Sequence, residues 1–288
     1  MTFVRLIAVG GIGAVYEVQI AATGQRAALK VLQREHAGDA GVVGRFTREV
    51  LFARRIDHRN VCPVFSEGRL EDGRPFFLMP LYEGVTLGQE VRQRGPLPVD
   101  RALAIGDEIL AGLSAMHAVG VVHRDLQPDN VLLAVEGGAT TVKLLDLGFA
   151  QSPGADTGDG VTPDSSGSLV GTLRFMSPEQ ATRSRAVTER SDLFSAALLL
   201  YYALSAELPF RGQADVDVLV AIVRSAPIPL RRARRGAPRA LDDVLTRALA
   251  KHPDARFENA AEMRAALHSV TVPERAQRAQ RRRAHPLP

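Results

Sequence analysis

HRDLQPDN at residues 123–130, VKLLDLGFA at 142–150 and GTLRFMSPE at 171–179 decide how this chain is read. The first stretch brings a carboxylate, Asp125, close to two amides, Gln127 and Asn130. The second closes an apolar run on another acid, Asp146. Asn130 and Asp146 carry oxygen atoms of the kind that suit a hard cation. The third joins a Gly-Thr pair to Ser177, Pro178 and Glu179.

Upstream, the first thirty residues alternate apolar and polar positions around AVGGIGAVYEV (8–18), break at ATGQ (22–25) and resume with RAALKVL (26–32). This spacing predicts strand, glycine turn, strand, turn, strand. Glycine turns before phosphates occur in several folds and in plain hairpins. In a dinucleotide-binding turn a helix follows the last glycine, whereas Ala14–Ile20 read as a strand. A strand there suits a flap over a nucleotide, where glycines let backbone amides approach phosphate oxygens. From GRFTREVLFARRI (44–56) the apolar period becomes helical, and two further strands are expected around DGRP (72–75), ending in FFLMPLY (76–82). Beyond EGVTL (83–87) helices dominate, notably 99–119, 192–205, 216–224 and 240–251. The apolar run Leu193–Leu204 is too short to span a bilayer and reads as a buried helix.

Taken in this order, the segments resemble the eukaryotic-type (Hanks-type) serine/threonine protein kinase domain in its bacterial-like form. The likeness also rests on AALK (27–30), on Glu49 in the first helix and on SDLFSAALLLYYAL (191–204), and runs from about Phe3 to about Leu267. It implies an α+β, bilobal protein-kinase-like fold. The small β-rich lobe and hinge would occupy 1–82, the larger mainly α lobe 83–270, and a basic tail 271–288. It further implies transfer of the γ-phosphate of ATP to serine or threonine of a protein substrate, with Mg2+, and with the chain itself as a second substrate.

Phosphoryl transfer asks a protein to align a hydroxyl with the γ-phosphate and to offset spreading negative charge. By the resemblance, Asp125 would accept or orient the hydroxyl, Thr172 would help orient Asp125, and Asn130 and Asp146 would hold magnesium. Lys30, paired with Glu49, would grip the α and β phosphates; without the resemblance the two read as a surface ion pair. Ala8, Val9, Gly10, Gly11, Ile12, Gly13 and Val15 would form the phosphate flap. Ala28, Met79, Pro80, Tyr82 and Leu132 would hold the adenine, the Pro80 carbonyl accepting and the Tyr82 amide donating. Proline fits at 80 because only its carbonyl is needed. Glu179 would pair with Arg256 of HPDARF (252–257), Asp192 would brace the catalytic loop, and His123 reads as packing rather than as a base. His58 and Cys62 read as structural.

Three positions depart from the family pattern. Ala8 stands where the first flap glycine is usual, and Leu147 replaces an aromatic in a packing role. Gln127 occupies the place of a lysine aimed at the γ-phosphate. A neutral amide still donates a hydrogen bond but cannot cancel phosphate charge. The expectation is a slow kinase, with a nucleotide-binding or scaffolding pseudokinase as the alternative. Residues 151–170, rich in Gly, Asp, Ser and Thr, read as an activation loop, with Thr157, Thr162, Ser165, Ser166 and Ser168 as candidate autophosphorylation sites and Arg124 as their clamp.

Bulk properties agree with a single globular body: 288 residues, 45% hydrophobic. The lone cysteine, Cys62, excludes an internal disulfide and suits a reducing cytoplasm. The net charge of +4 comes from residues 271–288, where five arginines face one glutamate, so the 36 basic and 32 acidic residues leave 31 of each in the body. That tail reads as a solvated extension, with no aromatic residues to support specific nucleic-acid binding.

Overall fold

Alternation in RAALKVL sorts the third strand into two faces, and the site is built on one of them. Ala27, Leu29 and Val31 pack with Val18, Phe76 and Leu78, while Leu32 lies with Phe77 against a helix. Lys30 shares the helix-facing side with Ala28 and Leu32, as the two-residue period of a strand requires. In this computed structural model, residues 1–147, 150, 172–182, 184 and 187–271 are described, Thr172 by its backbone alone.

The strands β1 (Thr2–Val9), β2 (Gly13–Gln19), β3 (Arg26–Leu32), β4 (Ser66–Arg69) and β5 (Pro75–Pro80) form one antiparallel sheet in the order β1-β2-β3-β5-β4. Helix α1 (Ala40–Ala53) lies on it, with Phe46 against Phe77 at 5.2 Å between ring centres. It starts four residues before the apolar period suggests, because Asp39 caps the amides of Gly41 and Val42 at 2.8 and 3.1 Å. Its buried face carries Val42, Phe46, Val50 and Ala53, with Glu49 among them.

The larger part is helical, with α2 (Leu87–Arg94), α3 (Val99–Ala118), α4 (Pro178–Ala181), α5 (Glu189–Ser205), α6 (Asp215–Arg224), α7 (Leu230–Ala233), α8 (Arg239–Ala248) and α9 (Ala260–His268). The run Leu193–Leu204 is indeed a buried helix, apolar nearly all round because α5 is the centre of this lobe. Among the described residues no helix is long and apolar enough to cross a membrane. The architecture is thus the expected α+β bilobal one.

Helical periodicity left out a second sheet, β6 (Gly84–Thr86), β7 (Val131–Glu136) and β8 (Ala139–Leu144), in the order β6-β7-β8. Gly137 and Gly138 turn β7 into β8 with φ of 59° and 82°. Two successive positive φ values are what a tight hairpin of the right twist needs, and glycine supplies them without strain.

Candidate active site

The β7–β8 hairpin sets two candidate cation ligands side by side. Val131 pairs with Leu144, so the residues just outside the ladder, Asn130 and Leu145, face each other and Leu145 N donates to the Asn130 carbonyl at 2.9 Å. Asp146 follows immediately, in a left-handed conformation with φ of 60°. Arg124, on the other arm of the site, also has a positive φ of 66°. Non-glycine residues hold such conformations only where neighbours enforce them. At Arg124 the enforcement comes from Asp192, buried on α5, which accepts from the backbone N–H of His123 and Arg124 at 2.8 and 2.9 Å. His117 Nε2 lies 2.8 Å from the same carboxylate. Gln180 secures the loop from the far side, donating to the Arg124 carbonyl at 2.6 Å.

Within that frame Asp125 is buried and surrounded by amide donors. Asn130 Nδ2 donates to its carbonyl at 2.8 Å and to its carboxylate at 2.9 Å. Gln127 Nε2 lies 3.4 and 3.3 Å from the two carboxylate oxygens. Burial, and then the charge of Asp146, push the Asp125 carboxyl up to about 7 against these hydrogen bonds. Burial drives His123 down, which keeps it neutral and agrees with a packing role.

Lys30 is 9% exposed at its side chain and joins three elements. Its ammonium donates to both Glu49 oxygens, at 2.9 and 2.8 Å, and lies 3.1 Å from Asp146. The two carboxylates hold the lysine cationic against desolvation. Burial raises the Glu49 carboxyl to about 7, while Lys30 and the Leu147 amide favour its charged form. An exposed pair is worth about 0–1 kcal/mol, so burial moves this one out of the ordinary surface class.

Val15 lies opposite Lys30 in the β2–β3 ladder, and Ala28 lies opposite Met79 in β3–β5. Met79 and Pro80 end β5 half-buried; Tyr82 follows, with the Lys143 ammonium 4.8 Å from its ring centre. Leu132 is half-buried on β7. Ala8 and Val9 end the exposed β1, Ala8 paired with Val15, and Gly10, Gly11 and Ile12 turn the chain into β2. A Cβ at Gly13 would lie 3.1 Å from the Val31 carbonyl and 3.6 Å from Lys30 Cε, so the flap passes the lysine closely.

Sequence reasoning missed the residues that hold this flap and the loop behind Glu49. Gln33 Nε2 donates to the Gly10 carbonyl at 2.9 Å, and His36 Nε2 lies 3.0 Å from that of Gly11. Asn60 Nδ2 donates to Glu108 at 2.7 Å and to the Val142 carbonyl at 2.9 Å, pinning the loop after α1 to α3 and β8. No periodicity signals either set. His58 accepts from the Asn60 amide through Nδ1 at 3.2 Å, and Cys62 is buried. Leu147 packs in the core, 3% exposed. Gly148 and Phe149, the candidate phosphorylation sites within 151–170, the Thr172 side chain and the tail from 272 lie outside the described residues.

The donor set fits a magnesium ion. Asn130 spends its amide nitrogen on Asp125, which leaves its carbonyl oxygen as a hard donor beside Asp146. Among the described residues no three His, Cys, Asp or Glu side chains converge on one point. A cation here would complete its shell with phosphate oxygens and water, as magnesium commonly does.

Residues 1–269 match the family described as protein kinase domain. PknB, a serine/threonine-protein kinase of Mycobacterium tuberculosis, is 34% identical over 269 residues, 92% of this chain and 42% of PknB. PksC, a serine/threonine-protein kinase of Streptomyces coelicolor, is 34% identical over 266 residues, 90% of this chain and 47% of PksC. The chain thus spans less than half the length of these relatives. The crystal structure of the Mycobacterium tuberculosis PknI kinase domain superposes with a TM-score of 0.71 at 28% identity, covering 93% of this chain and 94% of that one. Fold, site geometry and these likenesses agree that the chain belongs to the protein kinase domain family.

Proposed function

We propose that this domain transfers the γ-phosphate of ATP to serine or threonine hydroxyls of a protein substrate. The observation that carries the reading is the buried Lys30 ammonium, shared between Glu49 and Asp146 on one wall of the cleft that Asp125 and Asn130 complete. Lys30 binds and orients the α and β phosphates, and the flap amides cover them. Asp125 accepts the proton of the acceptor hydroxyl, while Asn130 holds the Asp125 carboxylate in place. Magnesium, when bound with ATP, offsets phosphate charge, and the Asn130 carbonyl oxygen and the Asp146 carboxylate would hold it. Gln127, bonded to Asp125, positions that carboxylate but brings no cation to the γ-phosphate.

Gln127 also favours a second reading, a pseudokinase that binds nucleotide without transferring phosphate. One experiment separates the two: purified protein with radiolabelled ATP and magnesium, a generic basic protein as acceptor, and Gln127→Lys alongside. The wild type is expected to label the acceptor slowly. Gln127→Lys should do so about tenfold faster or more, since one preorganised donor is worth on the order of 10²–10³ elsewhere and the amide keeps part of it. Turnover unchanged or lowered by the lysine refutes the role given to Gln127. No label from either protein, with ATP still bound, establishes the pseudokinase.

A pH dependence follows from Asp125. A carboxyl titrating near 7 is mostly protonated at pH 6 and ionised at pH 8. Since only the ionised form takes a proton, kcat/KM should rise about tenfold between pH 6 and pH 8. In Gln127→Lys the added cation favours the carboxylate, so the acid limb should move to lower pH. Comparing the two profiles cancels any titration of ATP itself, and coincident limbs would contradict the assignment.

A further inference from the structure

The end of the large lobe carries a charged surface with no part in the site above. PLRRARRGAPRA, residues 229–240, holds five arginines. Arg234 turns inward, its Nη1 donating to the Leu97 and Leu204 carbonyls at 2.5 and 2.7 Å. The segment is tied down along its length: Leu230 N donates to Asp242 at 2.6 Å, Arg234 N to the Leu230 carbonyl at 2.7 Å, and Ala237 N to that of Arg234 at 3.3 Å. The other four, Arg231, Arg232, Arg235 and Arg239, are exposed, and among the described residues none has a side-chain hydrogen bond or ion pair. Several surface arginines elsewhere are matched to carboxylates, among them Arg26 to Glu17, Arg101 to Glu90 and Arg247 to Glu262. Of the two acids that follow, Asp242 is spent on Leu230 N, which leaves Asp243. A loop held along its length thus presents a cluster of unmatched guanidinium groups in a body whose basic and acidic residues balance overall.

The same end of the lobe receives the end of α9. Leu267 and Val270 share a shallow recess with Leu103 and Ala104, in the first turns of α3, just past the Leu97 that Arg234 holds. The sequence that follows α9 adds five more arginines against one glutamate.

We propose that this arginine loop is a docking surface for an anionic lipid bilayer. The choice of partner rests on what the patch lacks as well as on its charge. Among the described residues from 221 onward no large apolar side chain is exposed. Protein interfaces draw most of their affinity from buried aromatic and apolar anchors, and single-stranded nucleic acid is held by base stacking on aromatics. A plane of acidic headgroups needs neither, and the four exposed guanidinium groups of the loop match its charge.

The test uses the full chain, sedimented with vesicles of phosphatidylcholine alone or mixed with phosphatidylglycerol. Binding is expected only to the mixed vesicles and should weaken steeply with salt. Each arginine near such a surface contributes roughly fivefold to partition, so R231Q/R232Q/R235Q/R239Q should lose on the order of a hundredfold or more. R231E/R232E, a smaller change, should lose at least as much as its two charges predict, with melting temperature and ATP binding as for the wild type. Partition unchanged in both variants, or lost only in R275Q/R278Q/R281Q/R282Q/R283Q, overturns the proposal. So does binding to duplex DNA, duplex RNA or polyglutamate without binding to the vesicles.

Discussion

Asp125→Asn is expected to slow phosphate transfer by on the order of 10²–10⁴-fold, the range removed with a positioned general base, while ATP binding stays as in the wild type. The substitution keeps size and planarity and takes away only the capacity to hold a proton. Asn130 still donates to the residue 125 carbonyl, as it does at 2.8 Å, so the loop keeps one of its two ties. Asp192 also continues to fix the amides of residues 123 and 124, because those bonds do not involve the Asp125 side chain. The effect should therefore fall on kcat and leave the KM for ATP in place. The pH dependence gives a second check, since the variant should lose the acid limb near 7 together with its rate. A variant within tenfold of the wild type would mean that the carboxylate neither accepts the proton nor aligns the hydroxyl.

How much of this site the sequence shows depends on the kind of contact. Lys30 and Glu49 were anticipated through the family likeness; strand and helix periods put each on a face, and those faces meet across Phe77 and Phe46 only in the fold. The bond from Lys30 to Asp146 was not, because it depends on a left-handed residue after β8, and no period encodes a single φ. The β7–β8 hairpin left a readable trace, VLLAVEGGATTVKLL, whose Gly-Gly turn between alternating runs signals a hairpin. It was passed over in a lobe read as helical. Gln33, His36 and Asn60 act through carbonyls and a buried acid far away in the chain, contacts that exist only once the chain has folded. Asp192 and the Glu179–Arg256 pair were anticipated through the family likeness rather than through pattern, since an acid in an apolar helix and an arginine in a loop look unremarkable by themselves. The exposed arginine loop is the opposite case: its residues are plain in the sequence, but only the structure separates the inward Arg234 from its four solvent-facing neighbours.

Arg256→Ala is expected to destabilise the domain by about 3–5 kcal/mol, because it strands the buried carboxylate of Glu179. The Arg256 side chain is fully buried, bonding the two Glu179 oxygens at 2.7 and 2.8 Å. It also donates to the carbonyls of Ala250, Arg190 and Lys251 and lies 4.9 Å from the Phe194 ring centre. Loss of the arginine leaves Glu179 with the Ser191 hydroxyl at 2.6 Å and opens three carbonyls and a cavity besides. Glu179→Ala should cost less, since Arg256 keeps its carbonyl partners. At roughly 2–4 °C per kcal/mol for a domain of this size, Arg256→Ala should lower the melting temperature by about 10 °C, measurable by calorimetry. Burial raises the Glu179 carboxyl, but Arg256 outweighs it and holds it below the ordinary glutamate value, so this stabilisation is present at neutral pH and is lost as acid protonates the group. The wild type and Arg256→Ala should accordingly converge in stability at low pH. Glu179→Leu/Arg256→Met tests what the pair is for: replacing both charges with apolar groups is often neutral or stabilising. A double variant as stable as the wild type but slower in transfer would assign the pair to orientation, because Glu179 adjoins Gln180, which holds the Arg124 carbonyl of the catalytic loop at 2.6 Å. A double variant with both stability and rate intact would remove the pair from the mechanism.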